Sequence, residues 1–296
     1  MSEAAVVLAS HGTVETLDDL PAFVTNVRRG HAPPPGLVAE LRRRYEAIGG
    51  GSPLNRINAE LARKLSARLG VPVVLANRLW RPYVRDVLAE LARQGTRRVA
   101  LVPLAQHSAH VYAADAQRAV EGTGLELACA PDWGQHPGLC EAFARRVRAA
   151  LEGIDPEPTT LALTAHSLPR AVVAAGDPYE REVRAAAADV ARRAGDGHVA
   201  VAFQSQGMGG GGEWLGPDLP ATIDAAAARG DRAIVFAPIG FLADHVEILY
   251  DLDLEAKGLA GARGLRYVRA ASPNADDDLV DVVADVARPL LGGAGG

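Results

Sequence analysis

Residues 238–255 read Pro238-Ile-Gly-Phe-Leu-Ala-Asp-His-Val-Glu-Ile-Leu-Tyr-Asp-Leu-Asp-Leu-Glu255 and follow the apolar run Ala233-Ile-Val-Phe-Ala-Pro238. A short, continuous, β-branched run of this kind is typical of a buried strand in a parallel sheet. Pro238 and Gly240 break the strand, and Asp244 is a suitable N-cap for a helix that begins after it. The stretch therefore predicts a strand, a turn and a helix, which together form the repeating unit of α/β proteins.

Three carboxylates recur every four residues along the predicted helix, at Glu247, Asp251 and Glu255. In a regular α-helix they fall within a sector of about 80° on one face. Such a column, beside His245, concentrates like charge, and a bound cation would offset that cost. A solvated acidic face is the ordinary alternative. Because the column begins beyond a strand end, where α/β sheets bind ligands, both interpretations stay open at this point.

Composition limits the class of protein. The 296 residues, 48% of them hydrophobic, suffice for two domains, and a net charge of −5 argues against a general nucleic-acid binder. The two cysteines, Cys129 and Cys140, form no Cys-x-x-Cys pattern and are best interpreted as buried small hydrophobic residues. We find neither a signal-peptide pattern nor a run of about 20 apolar residues, so we expect a cytoplasmic protein.

Strand and helix patterns alternate along the chain. Strands are predicted at residues 4–9, 71–76, 98–104, 125–128, 159–164, 198–203, 232–238 and 265–270. Helices are predicted at residues 36–48, 56–69, 82–94, 112–120, 136–151, 179–193 and 219–229, with a last one near 276–291. This alternation predicts right-handed βαβ units, and two sets of four strands predict two parallel sheets. We expect an α/β protein with two Rossmann-like lobes, residues 1–113 and 114–273, and a final segment, 274–296, able to pack on the first.

A weak internal repeat of histidine positions supports two similar lobes. His11 follows the first predicted strand and His166 follows the fifth, while His107 and His245 follow the third and the seventh. If the two lobes are related, these histidines face a shared crevice, because parallel strands present their carboxyl ends at the same edge of a sheet.

Arginines dominate the long connection after the first strand. Arg28 and Arg29 precede a proline-rich exit, and Arg42–Arg44 lie at a predicted helix end. Long connections are often binding loops, and guanidinium groups bind carboxylates through two-pronged hydrogen bonds. Arg42–Arg44 also suit the helix dipole, but two arginine clusters in an acidic protein favour a small anionic ligand.

Seven motifs, in the same order, resemble those of the ferrochelatase family. They are Arg28-Arg-Gly30, Arg44-Tyr-Glu-Ala-Ile-Gly-Gly-Gly-Ser-Pro-Leu54, Ala165-His-Ser-Leu-Pro169, Gly176-Asp-Pro-Tyr179, Gln204-Ser205, Trp214-Leu-Gly-Pro217 and Pro238-Ile-Gly-Phe241 with Asp244-His-Val-Glu-Ile-Leu-Tyr250. The resemblance covers nearly the whole chain. It implies the chelatase fold, with a porphyrin cleft between the two lobes, and insertion of ferrous iron into a porphyrin. The short chain looks most like the bacterial coproporphyrin III ferrochelatases, whose product is coproheme.

The resemblance also implies roles for the acidic column. His166 and Glu247 become the facing catalytic pair and, with Asp251 and Glu255, the residues that meet the metal. This chemistry suits them, because neutral imidazole accepts protons near neutral pH and ligates iron, while carboxylates hold a hydrated ferrous ion.

For the porphyrin, the resemblance implies contacts from Arg28, Arg44, Tyr45, Ser52 and Tyr112. His11 departs from the family pattern: the coproporphyrin enzymes usually place a tyrosine there, whereas this chain reads Ser10-His11-Gly12-Thr13. We expect His11 to contact the porphyrin, with a ring nitrogen in place of a phenol oxygen.

The expected enzyme is a monomer that requires no cofactor, takes Fe2+ as a substrate and meets other haem-pathway enzymes transiently. It is expected neither to bind nucleic acid nor to insert stably into a membrane. With no cysteine after Cys140, the C-terminal iron–sulfur cluster of some ferrochelatases is not expected. Three alternatives remain: a protoporphyrin IX ferrochelatase, a cobalt or nickel chelatase of the sirohydrochlorin type, and a non-catalytic porphyrin or haem carrier.

Overall fold

The computed structural model describes residues 2–152, 154, 158–195, 197–206 and 212–292. Within these ranges, parallel strands form two four-stranded sheets, in the orders β2-β1-β3-β4 and β6-β5-β7-β8. The strands are β1 (Ala4–Ser10), β2 (Val73–Asn77), β3 (Arg98–Pro103), β4 (Glu126–Cys129), β5 (Thr159–His166), β6 (His198–Gln204), β7 (Ala233–Ala237) and β8 (Arg266–Arg269). The predicted α/β class and the two sets of four strands are confirmed, and each observed strand overlaps its predicted one.

Helices connect the strands and cover the sheets. They are α1 (Leu20–Val27), α2 (Leu37–Ala47), α3 (Leu54–Leu69), α4 (Val84–Arg93), α5 (Ala109–Val120), α6 (Pro137–Glu152), α7 (Arg170–Ala174), α8 (Tyr179–Ala194), α9 (Leu219–Arg229), α10 (Val246–Leu249), α11 (Lys257–Ala262) and α12 (Asp277–Ala287). The long connection after β1, predicted to be a loop, contains α1, whose buried Leu20, Phe23 and Val24 give it an apolar face. None of the helices in the described ranges is long and apolar enough to cross a membrane.

The chain divides into two compact units. The first comprises Met1–Arg42, Gly50–Trp133 and Asn274–Gly296, and the second comprises Arg43–Gly49 and Gly134–Pro273. The predicted lobe boundary at residue 113 is therefore too early. It falls inside α5, whose Tyr112 and Ala116 share a core with β1 and β3, and it separates β4 from its partner β3.

The last helix belongs to the first unit. α12 packs against α3, where Lys64 donates to Asp277 at 3.0 Å and Arg68 pairs with Asp281. Its opposite face buries Leu279, Val280 and Val283. An amphipathic helix of this kind covers apolar surface that the sheet would otherwise expose.

The acidic stretch of the second unit runs from α10 through a π-helical segment, Asp251–Ala256, into α11. Its apolar side chains Ile248, Leu252 and Ala256 pack into a core with β5 and β7. Because this side is fully buried, the polar side of the same stretch is directed away from the core, and that side carries the candidate site.

Candidate functional site

The turn after β7 brings the acidic stretch against the end of β5. Gly240 donates its N–H to the carbonyl of Thr164 at 2.9 Å. A Cβ added at Gly240 would lie 2.5 Å from Ala165 Cβ, a distance that real Cβ atoms do not reach, so the position requires glycine. Since Ala165 precedes His166, this close approach positions α10 beside the histidine that ends β5.

Glu247 lies between two imidazole rings. Its Oε1 is 3.7 Å from His166 Nε2, and its Oε2 is 3.7 Å from His245 Nε2. His166 Nδ1 lies 2.5 Å from the Ser167 carbonyl, and His245 Nδ1 lies 3.0 Å from the Ala243 carbonyl. Because a carbonyl only accepts hydrogen bonds, each Nδ1 carries a proton, and Nε2 of a neutral ring is left as a proton acceptor or metal ligand.

The structure thus brings His166 and Glu247 together and adds His245, which was not among the predicted catalytic or metal-binding residues. His166 and Glu247 are about one-third exposed, at 37% and 32% of their side-chain surface, whereas His245 is 16% exposed. Partial exposure leaves room for a ligand at these atoms. The internal repeat of histidine positions was the signal that pointed to His245.

Two buried polar side chains hold the pair in place. Gln204 Nε2 donates to the main-chain carbonyl of Glu247 at 2.8 Å, and Gln204 lies opposite His166 in the β5–β6 register. Tyr179 Oη donates to the main-chain carbonyl of His166 at 2.9 Å. Both residues lie in the ferrochelatase motifs but had no predicted role, because hydrogen bonds to main-chain atoms leave no signature in side-chain spacing.

Asp251 is a buried carboxyl group, with 3% of its surface exposed. It accepts hydrogen bonds from Ser205 Oγ at 2.5 Å and from Arg44 Nη1 at 3.2 Å. Burial, followed by the like charge of Glu247, raises the pKa of Asp251 to about 6 despite these two donors. The group therefore takes up and releases a proton close to neutral pH.

Glu255, the last carboxylate of the predicted column, is exposed, and its charge also raises the pKa of Asp251. Among the described residues, no group of three or more His, Cys, Asp or Glu side chains is arranged to hold a metal ion. Metal contacts of Asp251 and Glu255 stay predictions.

The predicted single helical face is wrong. The carbonyl of Tyr250 accepts from Leu254 N at 3.2 Å and from Glu255 N at 3.0 Å, so one extra residue is accommodated where the π-helical segment begins. Each residue of an α-helix advances by about 100°, so this insertion turns Glu255 away from the sector shared by regular four-residue spacing. π-helical turns of this kind are frequent at functional sites.

Asp244 does not cap α10. His245 occupies the N-cap position without a side-chain hydrogen bond, and Asp244 accepts instead from Ser272 Oγ at 2.7 Å and Arg269 Nη1 at 3.3 Å. The predicted cap is wrong because two tertiary donors compete for the same carboxylate.

Residues 43–49 belong to the second unit and contact its acidic stretch. Arg43 Nη2 donates to Tyr250 Oη at 2.6 Å. The Arg44 guanidinium lies 4.9 Å from the centre of the Tyr250 ring, and its Nη1 donates to Asp251. Arg44 therefore neutralises a carboxylate of the acidic stretch. Tyr45 is a buried residue of α2, with 2% of its surface exposed, and its porphyrin contact stays a prediction.

His11 and Arg28, two predicted porphyrin contacts, lie in the first unit. His11 is exposed, and its ring meets Phe23 edge-on at 6.4 Å between centroids. Arg28 ends α1 and donates from Nε to the carbonyl of Ala32 at 3.3 Å. Both side chains lie in or next to the connection after β1.

A cavity of about 580 Å³ opens in the first unit beside Tyr112. Four guanidinium groups line it, those of Arg29, Arg78, Arg85 and Arg118. Arg78 Nε donates to Asp115 at 2.5 Å and stacks over the Tyr112 ring at 5.7 Å. Arg118 donates to the same carboxylate. Asp115 also lines the cavity, so four guanidinium groups face one carboxylate, and the cavity is a cationic pocket suited to anionic groups.

The remaining predicted contacts, Tyr112 and Ser52, are largely buried, with 8% and 9% exposed. Burial raises the pKa of Tyr112 to about 12, so its hydroxyl remains a hydrogen-bond donor at neutral pH. Ser52 Oγ accepts from Leu54 N at 3.5 Å at the start of α3. Arg78, Arg85 and Arg118 were not among the predicted site residues, because they lie outside the arginine clusters and the ferrochelatase motifs.

Comparison with solved structures identifies the class of fold. SirB from Bacillus subtilis with Fe3+ matches 98% of this chain and 96% of its own, with a TM-score of 0.61 and 13% sequence identity. At that identity the match shows the fold alone, and the fold is the chelatase fold.

Sequence comparison identifies the family. The ferrochelatase family model matches residues 3–290. A ferrochelatase from Acidobacterium capsulatum is 35% identical over 97% of this chain and 94% of its own. A coproporphyrin III ferrochelatase from Mycobacterium marinum is 36% identical over 92% of this chain and 82% of its own. The chain belongs to the ferrochelatase family, whose members are metal-chelating lyases that insert iron into a porphyrin.

Proposed function

We propose that the protein inserts ferrous iron into coproporphyrin III and so forms coproheme. The observation that carries this choice of porphyrin is the cationic pocket of the first unit, where Arg78, Arg85 and Arg118 stand beside Tyr112. Guanidinium groups pair with carboxylates in a two-pronged geometry, and a tetracarboxylate offers more such groups than the dicarboxylate protoporphyrin IX. The 36% identity to a coproporphyrin III ferrochelatase supports the same choice.

In the second unit, we assign proton transfer to His166 and Glu247. A free-base porphyrin loses its two pyrrole protons as ferrous iron enters, so the reaction needs acceptors close to the ring nitrogens. The neutral His166 ring has its Nδ1 proton on the Ser167 carbonyl, which leaves Nε2 to accept a proton. Glu247, 3.7 Å away, stabilises the resulting imidazolium and accepts a proton in turn.

We assign Asp251 to the path by which protons leave or iron arrives. Its pKa of about 6 lets it pass a proton onward near neutral pH, and Arg44 and Ser205 hold its carboxyl group in one orientation. Glu255, exposed at the far end of the stretch, serves as the outer carboxylate of the same path. Iron is a substrate in this scheme, and no resident cofactor takes part.

The discriminating experiment compares iron insertion by the purified protein into coproporphyrin III, protoporphyrin IX and coproporphyrin III tetramethyl ester, followed by absorbance under anaerobic conditions. We expect the largest kcat/KM for coproporphyrin III and the smallest for the ester. An equal or larger value for protoporphyrin IX would contradict the choice of porphyrin. Binding without metallation would indicate a porphyrin carrier.

A further inference from the structure

One arginine of the second unit binds two aspartates of the acidic stretch. Arg269 is the last residue of β8, and 17% of its side chain is exposed. Its Nε and Nη2 donate to the two carboxylate oxygens of Asp253 at 2.6 and 3.1 Å, and Nη1 donates to Asp244 at 3.3 Å. Two parallel hydrogen bonds to one carboxylate fix the orientation of Asp253 relative to the Arg269 guanidinium as well as the distance between them.

The two aspartates bracket the residues assigned to the chemistry. Asp244 lies two residues before α10, and Asp253 lies within the π-helical segment, so Glu247 and Asp251 fall between them. Ser272, which follows β8, adds a second donor to Asp244 at 2.7 Å. Both ends of this stretch are therefore held by the carboxyl end of β8.

The Asp253 pair also depends on the π-helical register. Were the stretch a continuous α-helix from Val246, the residues after Tyr250 would be turned by about 100° about the helix axis, which would carry Asp253 away from Arg269. π-helical turns are rare and need such tertiary support, since their geometry is less favourable than that of an α-helix. The Arg269–Asp253 pair supplies this tertiary support.

We propose that Arg269 is a positioning residue for iron insertion. It holds residues 244–256 in the π-helical register and thereby sets where Glu247 and Asp251 stand relative to each other. The proposal rests on the proton-transfer roles proposed for those two carboxyl groups. Arg269 acts through Asp244 and Asp253, so its loss changes the chemical step and leaves porphyrin recognition in place.

The first test replaces the guanidinium group with an uncharged side chain of similar length. In Arg269→Met we expect kcat for iron insertion to fall about ten-fold or more, because small misplacements of reacting groups are costly, while the porphyrin KM stays within about two-fold. Arg269→Lys keeps the charge but lacks the fork, so kcat stays reduced. Arg263→Met, which removes another arginine–aspartate pair of this unit, with Asp224 at 2.5 Å, is the matched control and should retain kcat.

A double variant separates positioning from stability. Arg269→Met leaves Asp253 without its partner, and adding Asp253→Asn removes that charge, so we expect the melting temperature to recover while kcat stays low. Recovery of kcat in the double variant, or wild-type kcat in Arg269→Met, would overturn the proposal.

Amide hydrogen exchange tests the same proposal without turnover. Exchange across residues 246–256 should rise in Arg269→Met and stay unchanged in Arg263→Met; equal exchange in the two variants would overturn the proposed role. A wild-type protein that fails to insert iron would instead contradict the proposed function, so the two failures are distinguishable.

Discussion

The two sheets share one strand order, yet their carboxyl ends carry different chemistry. In the first unit His11 follows β1 and is exposed, and His107 follows β3 and is buried, with 3% of its surface exposed. In the second unit His166 ends β5 and His245 follows β7, and both direct Nε2 to Glu247. The same topology therefore places histidines at corresponding strand ends twice, and the second unit adds a carboxylate between its pair.

The connections after the third strand of each sheet account for this difference. In the first unit the chain passes into α5, whose Tyr112 joins the core and the cationic pocket. In the second unit Gly240 lets the chain approach β5, and a short α-helix followed by a π-helical segment presents carboxyl groups there. In the proposed function, the first unit therefore recognises the anionic groups of the porphyrin, and the second unit accepts its protons and receives the iron.

The largest expected effect tests this difference between the units by substituting the strand-end histidine of each. We expect His166→Ala and Glu247→Gln each to lower kcat by about 100- to 10,000-fold, because each removes a proton acceptor, with porphyrin affinity retained. His11→Ala should change kcat by less than about five-fold and act mainly on KM. Turnover and fluorescence-monitored porphyrin binding check both expectations. Wild-type turnover in His166→Ala and Glu247→Gln would remove the assignment.

A second prediction compares the buried carboxyl group of Asp251, in the second unit, with the carboxyl group of Asp115, which is paired with arginines in the first unit. The folded protein raises the pKa of Asp251 from 3.8 to about 6, so folding favours its neutral form. Stability from this group is present below about pH 4 and is lost as the pH rises through about 6. Asp251→Asn, which keeps the group neutral, should therefore raise the free energy of unfolding by about 3 kcal/mol at pH 7.5 and leave it unchanged below pH 4.

The matched variant in the first unit is Asp115→Asn. Because Asp115 accepts from Arg78 and Arg118, the substitution removes two ion pairs and should lower the free energy of unfolding by up to about 1 kcal/mol. Urea denaturation at both pH values measures the two effects. We expect the free energy of unfolding at pH 7.5 to rise in Asp251→Asn and to fall in Asp115→Asn. A change of the same sign in both variants would contradict the proposed difference between a carboxyl group destabilised by burial and one stabilised by arginines.

The last prediction concerns recognition in the first unit. Arg78→Met should raise the KM for coproporphyrin III about ten-fold, the value of one charged hydrogen-bond pair, and leave kcat nearly unchanged. The tetramethyl ester lacks the carboxylates and should be insensitive to the substitution. Equal increases in KM for acid and ester would show that Arg78 supports the shape of the pocket and does not bind carboxylates.

Individual residues of this site were predictable from the sequence, but their tertiary hydrogen bonds and the register of the acidic stretch were not. The pairing of His166 with Glu247 was predicted from the resemblance to the ferrochelatase family, while their positions beyond strand ends indicated only that a ligand could bind there. The hydrogen bonds made by Gln204 and Arg269 were not predicted, because their partners are main-chain atoms or residues distant in sequence. The predicted face of three carboxylates was wrong, since the spacing assumed a regular helix and the chain forms a π-helical turn.

The strands and helices were predictable from the order of residues along the chain, and the family was predictable from the resemblance of its motifs. Apolar β-branched runs, glycine breaks and alternating helix patterns depend on local physics, so the strands and the α/β class could be predicted without coordinates. Which charges are neutralised, and which nitrogen or oxygen atoms carry protons, depends on contacts that form when the chain folds. Arg44 lies on Asp251, and His245 joins His166 at Glu247, because burial and the closeness of groups distant in sequence set electrostatic energies that no spacing records.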